Sequence, residues 1–347
     1  MRDKVMKAGV WGVSLIAGIG LLVGCSEAPL KELSQNASAP RQLHDRPART
    51  ASGALPERLY ADPTQQSALW AKKNPSDERA KTIEETIANE PAARWFGDWN
   101  KDITAETSEY VEAAADASSL PVLVAYNIYG RDCGSYSAGG VKSPDDYRTW
   151  ITSFAKGIGS NPVVVILEPD TLAQIDCIPD EAGKKTRLDL IKYGVDQLAE
   201  HAPHAMTYID GGNANWIPPA TMADRLAAAG VAKARGFSVN VSNFYSTAES
   251  DTYGGAIRKA LASKYGLTKS YVVDTSRNGN GSANGEWCNP AGRKLGTPPR
   301  LVGLGEPKEF ELWIKAPGES DGTCGAGATT TAGEFSPDLA VGLIQGR

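Results

Sequence analysis

Six short apolar runs, each followed at once by polar residues, constrain the fold of this 347-residue chain more than any other feature. Residues 163–167 are typical, because five branched apolar residues lead directly into Glu168, Pro169 and Asp170. Unbroken runs of this kind indicate strands that are buried on both faces of a parallel sheet. The other five runs are residues 122–126, 207–209, 237–241, 271–273 and 312–314.

The spacing of these runs predicts how the strands are connected. They begin about 30 to 45 residues apart, which leaves room for one crossover helix after each strand. Helical patterns fill the gaps around residues 145–154, 188–198 and 219–229, and a further strand near residues 94–96 gives about seven. We therefore predict an α/β fold, a distorted TIM-like parallel β/α barrel of about seven strands, with a doubly wound sheet as the alternative.

Acidic residues stand at or just beyond the ends of these strands, at Asp132, Asp170, Asp210 and Asp321. In a parallel barrel the active site forms at this carboxyl edge, so these side chains are expected to meet there. Aromatic and amide residues accompany them and suit sugar binding, because indole rings stack on sugars and amides hydrogen-bond hydroxyls. The companions include Tyr126, Asn213, Trp216, Asn243 and Trp287.

A purely structural role competes with the functional one at each of these positions. A single aspartate after a strand is more often a turn former or a helix cap, and we favour that interpretation for Asp274. Trp95, Trp150 and Trp313 fit a hydrophobic core, whereas Trp216 follows a Gly/Asn turn and is expected to contact ligand. Four acidic residues at four strand ends favour a shared active site.

The composition argues against several other classes of protein. The chain has only three histidines, and none is placed for a Ser-His-Asp triad or a zinc site. A net charge of −5 without a basic stripe argues against a nucleic-acid partner. Neither a phosphate-binding glycine motif nor a CxxC pair occurs, which disfavours nucleotide binding and thioredoxin-like chemistry.

The first 25 residues are typical of an export signal. Arg2, Lys4 and Lys7 precede an uncharged, mostly apolar stretch, residues 8–24, which is short for a membrane span. The small residue before Cys25 resembles a bacterial lipobox, in which the cysteine is lipidated and becomes the mature N-terminus. A plain signal peptide and an uncleaved anchor are the alternatives.

These features divide the chain into three parts. We predict a lipoprotein-type signal peptide at residues 1–24, a flexible tether at 25–57 and the barrel at 58–347. The protein would be exported and either held by lipid on the outer side of the cell membrane or secreted. The remaining four cysteines indicate two disulfides in an exported chain, although spacing cannot choose among three possible pairings. They are Cys133, Cys177, Cys288 and Cys324.

The motifs at the strand ends resemble those of glycoside hydrolase family 6, the inverting β-1,4-glucanases and cellobiohydrolases. They are VAYN, GRDCG and SAGG within residues 124–140, LEPD at 167–170, DTSRNGNG at 274–281, EWCNP at 286–290, and WIK and PGESDG within 313–322. The motifs occur in family order over roughly residues 58–345, essentially the whole mature domain. The resemblance implies a catalytic barrel that hydrolyses a β-glucan.

The resemblance also implies roles for individual residues. Asp170 matches the general acid, and Asp132 matches a carboxylate that raises the pKa of that acid and helps to activate water through a serine of the 135–137 loop. Asp321 matches the position often proposed as the base, whose identity in this family is disputed. Asp210 matches a supporting carboxylate, and Tyr126 matches the tyrosine near the distorted sugar.

Further positions follow from the same resemblance. Trp216, Lys315 and Glu319 match substrate-binding positions, and the implied disulfides are Cys133–Cys177 and Cys288–Cys324. One residue departs from the family pattern, because Asn213 stands where a histidine is usual and cannot titrate. This departure bears on the rate and the preferred glucan more than on the reaction class.

The loops and the chemistry complete the prediction. Only residues 322–336 separate the last acidic motif from the terminal segment, so we expect an open cleft and internal cleavage. Protonation and water attack need neither a metal nor an organic cofactor. We predict a monomeric endo-β-1,4-glucanase whose partner is a β-glucan and which meets a membrane only through lipid at Cys25. The alternatives are a glycan-binding lipoprotein without turnover and a glycosidase acting on a cell-envelope glucan.

Overall fold

One sheet of eight strands organises the protein in a computed structural model that describes residues 55–347. These residues belong to the compact unit Gly53–Arg347. The predicted signal peptide, Cys25 and all but the last three residues of the predicted tether lie outside the described residues. Within residues 55–347, no helix is both long and apolar enough to cross a membrane.

The strands follow one another around the sheet in nearly the order of the chain. They are β1 (Arg94–Phe96), β2 (Val122–Ala125), β3 (Val163–Leu167), β4 (Ala205–Asp210), β5 (Gly236–Val239), β6 (Ser270–Asp274), β7 (Arg300–Leu301) and β8 (Lys308–Leu312). The sheet order is β1-β2-β3-β4-β5-β6-β8-β7, and every pairing is parallel except that of β7 with β8. This sequential order confirms the predicted barrel with seven parallel strands and makes the doubly wound alternative wrong.

The barrel is distorted because its first and last parallel strands do not form a ladder. Near this seam between β1 and β8, the Ala93 N–H donates to the Trp313 carbonyl at 2.9 Å. The Trp95 indole N–H donates across the same seam to the Ile314 carbonyl at 2.8 Å. These bonds bring the two edges together where continuous strand pairing is missing.

Helices cover the outside of the sheet. They are α1 (Gln66–Lys73), α2 (Ala80–Ile83), α3 (Ile103–Asp116), α4 (Pro144–Ile158), α5 (Glu181–His201), α6 (Pro219–Ala228), α7 (Thr247–Tyr265) and α8 (Pro337–Gln345). The three predicted helical segments correspond to α4, α5 and α6. Ser143 illustrates how such a helix starts, because its hydroxyl accepts from the Asp146 N–H at 3.1 Å and Pro144 follows it.

Both faces of the central strands are buried, which explains the unbroken apolar runs. Val122 and Val124 of β2 point into the barrel and pack with Ile166 and Phe310. The alternate residues of the same strands, with Leu123 as an example, pack outward against the helices. Because each central strand packs against an apolar layer on both faces, an apolar residue is needed at every position, and the sequence supplies one.

The last parallel strand is displaced from its predicted position. The structure places β8 at Lys308–Leu312 rather than at residues 312–314, and it adds the short antiparallel β7, which the sequence did not predict. The reason is that Glu309 and Glu311, both almost fully buried, make β8 look polar. Glu309 accepts from the Tyr208 hydroxyl at 2.5 Å and from Arg235, which satisfies its charge inside the barrel.

Replacing Glu309 with alanine should lower the free energy of unfolding by about 2 to 4 kcal/mol, because it leaves the buried Tyr208 hydroxyl and Arg235 without their acceptor. Chemical denaturation monitored by circular dichroism measures the change. Glu306→Ala, at an exposed position of the adjacent turn, is the matched control and should change stability by less than about 0.5 kcal/mol. Equal stability of the two variants would show that the buried pairing contributes nothing.

Candidate active site

A cavity of about 1020 Å³ lies at the carboxyl ends of the strands and brings most of the predicted site residues together. Ten of the eleven predicted catalytic and substrate-binding residues line it: Tyr126, Asp132, Asp170, Asn213, Trp216, Asn243, Trp287, Lys315, Glu319 and Asp321. The eleventh, Asp210, is 1% exposed and lies behind the cavity wall. Residues that are up to 195 positions apart in the chain (321 − 126) therefore share one surface.

Glu168 fixes the loop that follows β2 to the end of β3. Its buried carboxylate accepts from the Asn127 N–H and the Ile128 N–H, each at 3.0 Å. Burial raises the pKa of Glu168 to about 7, against the opposing effect of these two donors. The Glu168 backbone has φ +51°, a left-handed conformation that costs free energy outside glycine and persists because the surrounding bonds fix it.

Asp210 likewise joins neighbouring segments, because its side chain binds the loops after β3 and β4 and a side chain of β5. One carboxylate oxygen accepts from the Asp170 N–H and the Gly212 N–H, both at 3.0 Å, and the other accepts from the Ser238 hydroxyl at 3.1 Å. Burial raises the pKa of Asp210 to about 6. Asp210 thus positions the backbone of Asp170 without reaching the cavity, which fits the supporting role predicted for it.

Asp170 has the most perturbed carboxyl group facing the cavity. Burial raises its pKa well above the usual range, and the negative charges of Asp210, Asp132 and Asp321 raise it further. Within the described chain, no side-chain hydrogen bond to its carboxyl group offsets these effects. An acid that keeps its proton near neutral pH is what donation to a leaving oxygen requires.

Asp132 has a different environment from Asp170. One of its oxygens accepts from the Ser137 N–H at 2.8 Å, and the other accepts from the Gln174 side-chain amide at 2.9 Å. The disulfide Cys133–Cys177 joins the two loops that carry these partners. Asp132 is therefore held as a hydrogen-bonded carboxylate at the edge of the cavity.

Asp321 is an ion-paired carboxylate. Arg277, which is 3% exposed, donates to one of its oxygens at 2.8 Å, and the Asn289 N–H donates to the same oxygen at 3.0 Å. The Asn289 side chain in turn accepts from the Asp321 N–H at 2.9 Å. The disulfide Cys288–Cys324 lies directly beside this pair, so both disulfides implied by the resemblance are present and each stands next to a site carboxylate.

Asp274 has the structural role that the sequence favoured. Its buried carboxylate accepts from the Ser276 N–H at 2.9 Å, which makes a tight turn after β6. It also accepts from the Ser242 N–H at 3.0 Å and the Lys315 N–H at 2.9 Å, and these bonds join the loops after β5 and β8. Asp274 is absent from the cavity lining.

Lys315 and Glu319, a basic and an acidic residue, both line the cavity wall, where the Lys315 ammonium donates to the Ser320 carbonyl at 3.1 Å. Burial lowers the pKa of Lys315, although the charges of Asp321 and Glu319 oppose this. Burial raises the pKa of Glu319, although the charge of Lys315 opposes it. Glu319 also accepts from the Gln66 side-chain amide at 2.7 Å, so one wall offers both donors and acceptors to hydroxyl groups.

Exposed aromatic rings line the rest of the cavity. Trp216, Trp287 and Trp99 all line it with substantial exposure. The Tyr136 ring lies 6.0 Å from the Trp287 ring and packs against Gly322, where an added Cβ would lie 2.7 Å from it. The loops after β2, β6 and β8 therefore touch at this point, which limits the open cleft predicted from the loop lengths.

Asn213 and Asn243 each use their side-chain oxygen within their own loop. Asn213 accepts from the Asn215 N–H at 3.2 Å, and Asn243 accepts from the Phe244 N–H at 3.0 Å. No hydrogen bond from the side-chain nitrogen of Asn213 occurs within residues 55–347. In the position where the family pattern has histidine, Asn213 therefore presents a donor to the cavity.

Several residues of the cavity escaped the sequence analysis, with Trp95, Trp99 and Gln174 among them. Trp95 was expected in the core, but it lines the cavity and packs edge-on against Tyr126 at 5.1 Å. The core interpretation holds in part, because Trp95 also packs against the apolar cluster inside the barrel. It reaches the cavity as well because β1 has only three residues, so its inward side chain lies close to the carboxyl edge. Trp99 just beyond β1 and Gln174 one turn after Asp170 could both have been found from their distance to a strand end.

Comparisons with known proteins agree on one family. The profile of glycosyl hydrolases family 6 matches residues 54–346. Endoglucanase 1 of Streptomyces halstedii is 51% identical over 289 residues, which cover 83% of this chain and 88% of that protein. Endoglucanase A of Cellulomonas fimi is 42% identical over 291 residues, which cover 83% of this chain and 61% of that protein.

A solved structure is similar over the same region. It is the endoglucanase Cel6 from Mycobacterium tuberculosis in complex with methyl-cellobiosyl-4-deoxy-4-thio-β-D-cellobioside. It has a TM-score of 0.77 and 41% sequence identity, and the match covers 84% of this chain and 99% of that chain. The similarity therefore extends across the whole described barrel.

Replacing Asp210 with asparagine should lower the pKa of Asp170, because the substitution removes a negative charge that disfavours ionisation of Asp170. Carbon-detected NMR of labelled aspartate carboxyl groups measures the titration directly. Asp189→Asn, on the outer surface of α5, is the matched control and should leave the titration of Asp170 where it is in the parent protein. An unchanged titration in Asp210→Asn would refute the electrostatic coupling.

Proposed function

The chain belongs to glycosyl hydrolase family 6, and from this premise we propose that it cleaves internal β-1,4-glucosidic bonds of cellulose or a related β-glucan with inversion of configuration. Membership of this family makes it a glycoside hydrolase, a cellulase. One observation carries the proposal: Asp170, a carboxyl group whose pKa is raised well above its usual range, faces the same cavity as two hydrogen-bonded acidic side chains, Asp132 and Asp321.

Asp170 acts as the general acid. Its proton passes to the glycosidic oxygen while the bond from that oxygen to the anomeric carbon breaks, so the leaving sugar departs as a neutral alcohol. The neighbouring negative charges favour this role, because they keep the proton on Asp170 until the leaving oxygen becomes basic. Tyr126, buried beneath the same part of the cavity, packs against the sugar at the cleavage point.

A water molecule attacks the anomeric carbon from the opposite face and loses one proton to a carboxylate. Asp132 is the better acceptor, because Asp321 is already neutralised by Arg277 at 2.8 Å. The Ser137 N–H holds Asp132, which places the serines of the 135–137 loop beside it as relays for the proton. Inversion follows because the water and the leaving group occupy opposite faces of the ring.

The remaining cavity residues bind the glucan chain. Trp216, Trp287 and Trp99 offer ring faces for stacking on pyranose units, and Asn213 donates to a hydroxyl group. Lys315 and Glu319 bind hydroxyls as donor and acceptor. Relatives named endoglucanase support internal cleavage.

We further propose that the enzyme acts outside the cell as a lipid-anchored monomer. The basic residues at the N-terminus, the apolar stretch and Cys25 support export and acylation. The disulfides Cys133–Cys177 and Cys288–Cys324 support an oxidising compartment.

Proton NMR of cello-oligosaccharide hydrolysis tests the reaction. The α-anomer of the new reducing end should appear first, and the β-anomer should follow by mutarotation. Viscosity of a soluble cellulose derivative should fall early relative to the release of reducing ends, as internal cleavage requires. A β-anomer formed first would overturn inversion, and tight binding without products from about pH 4 to 8 would favour the glycan-binding alternative.

Replacing Asp170 with alanine should reduce kcat on cello-oligosaccharides by about 1,000-fold or more, because the leaving oxygen then receives no proton. Dinitrophenyl β-cellobioside needs no protonation of its leaving group, so the loss on this substrate should stay below about 10-fold. Asp189→Ala, at the surface position on α5 already used as a control, should match the parent enzyme on both substrates. Equal losses on the two substrates would contradict the role of acid.

A further inference from the structure

Three exposed apolar residues cluster at a turn that takes no part in the active site. Leu301, Val302 and Leu304 are 41%, 42% and 43% exposed, and none of them lines the catalytic cavity. They stand at the end of β7 and in the turn that leads to β8. We name these three residues the apolar tip.

The apolar tip lies at the opposite end of the barrel from the active site. Leu301 pairs with Phe310, and the Val302 N–H donates to the Glu309 carbonyl at 2.7 Å, so the turn beyond them precedes the start of β8. The active-site residues Lys315 and Asp321 follow the end of the same strand. Parallel strands all start at one end of a barrel, so the tip occupies the amino end.

The described chain also begins at this end of the barrel. Leu59 forms a parallel bridge with Leu120, which stands just before β2, and the Tyr60 N–H donates to the Leu120 carbonyl at 2.9 Å. These residues lie beside the start of β2 on the side occupied by β1. The β7 strand borders β8 on the side of the seam between β1 and β8. The point of entry and the apolar tip therefore flank the same seam at the same end.

The length of chain before Leu55 is short enough to keep the tip near an anchor. Cys25 precedes Leu55 by 30 residues (55 − 25). The predicted flexible tether, at that length, would have an r.m.s. span of roughly 30 Å. A lipid surface that holds Cys25 through such a tether would stay close to the tip, which makes even a weak apolar contact effective.

We propose that the apolar tip inserts into the phospholipid surface to which the chain is anchored, so that the catalytic cavity faces away from the membrane. This inference rests on the proposed acylation of Cys25 and goes beyond the proposed reaction. The partner is a lipid surface because the tip shares its end of the barrel with the residues that lead back to the anchor. An enzyme held in this orientation presents its cleft to external polysaccharide.

The charges around the tip indicate that the contact is apolar rather than electrostatic. Arg300 pairs with Glu311 at 2.8 Å, and Lys308 pairs with both Glu311 at 2.8 Å and Asp251 at 2.9 Å. The nearest cations are thus already compensated and offer little attraction to anionic headgroups. Insertion should consequently depend only weakly on salt, and the negative charge of Glu306, exposed in the same turn, should weaken it as the fraction of anionic lipid rises.

A fluorophore at the tip tests the insertion in the full, acylated chain. Leu304→Cys carries a nitrobenzoxadiazole label, and the vesicles contain phosphatidylethanolamine, phosphatidylglycerol and a nitroxide lipid as quencher. We expect a blue shift and strong quenching on vesicle binding. Leu69→Cys is the matched control, because Leu69 is 51% exposed on α1, whose first residue, Gln66, lines the cavity at the opposite end. Equal responses at the two positions, or no response at Leu304 in vesicle-bound protein, would overturn the proposal.

A polar variant of the tip separates insertion from anchoring and from catalysis. The triple substitution Leu301→Ser, Val302→Thr and Leu304→Ser should weaken retention of the acylated chain on these vesicles by about 3- to 10-fold. Hydrolysis of soluble cello-oligosaccharides should be unchanged, because the tip does not touch the cavity. Unchanged retention would refute the proposal. A parent chain that is dimeric in solution and becomes monomeric in the triple variant would also refute it, because the tip would then be an interface between two copies of the chain.

The anchor has its own control. Cys25→Ser should remove most vesicle binding, while the parent chain should bind. If the parent chain does not bind vesicles, both the anchor and the tip proposal fail, whereas the hydrolysis assay still reports on the proposed function. If the anchor holds and only the response of the tip is missing, the orientation alone is wrong.

Discussion

Buried carboxylates that bind backbone N–H groups of neighbouring loops hold the carboxyl edge of this barrel together. Glu168 binds the loop after β2, Asp210 binds the loops after β3 and β4, and Asp274 binds those after β5, β6 and β8. Each bond leaves a strand end in a fixed geometry, including the left-handed φ of Asp170. The cavity keeps its shape because these carboxylates, together with two disulfides, replace the regular pairing that loops lack.

The acidic side chains that share the cavity differ in their partners, and the proposed reaction depends on this difference. Arg277 compensates Asp321, and Gln174 with the Ser137 N–H satisfies Asp132, but no described side chain compensates Asp170. We propose that the proton stays on Asp170, which is the separation of acid and carboxylate that inverting hydrolysis needs. The arrangement costs stability: because the pKa of Glu168 is raised to about 7, the folded chain binds its proton more tightly than the unfolded chain does. The free energy of unfolding should thus fall as pH rises from about 4.5 towards 7 through this group.

The sequence predicted strands that are apolar at every position. It misplaced the strand whose buried charged side chains are neutralised by partners elsewhere in the chain. Residues 163–167 were predicted at their observed bounds, because a strand packed on both faces must be apolar throughout. The last strand was predicted at the wrong residues, because Glu309 makes it look polar. The partners that allow Glu309 to be buried, Tyr208 and Arg235, are distant in sequence. For the site, strand ends located the carboxylates, but Trp95 was assigned to the core and the contact of Gln174 with Asp132 was not anticipated. Such contacts depend on how loops from different strands meet, which no local pattern encodes.

The central proposal is that the proton of the active site resides on Asp170, while Asp321 pairs with Arg277. Neutron diffraction from deuterium-exchanged crystals, at a pH where the enzyme is active, locates that proton directly. We expect deuterium on the carboxyl group of Asp170 and none on Asp321, whose oxygens should face Arg277 and the Asn289 N–H. A bare Asp170 carboxylate, or deuterium on Asp321 in its place, would contradict this account of the reaction.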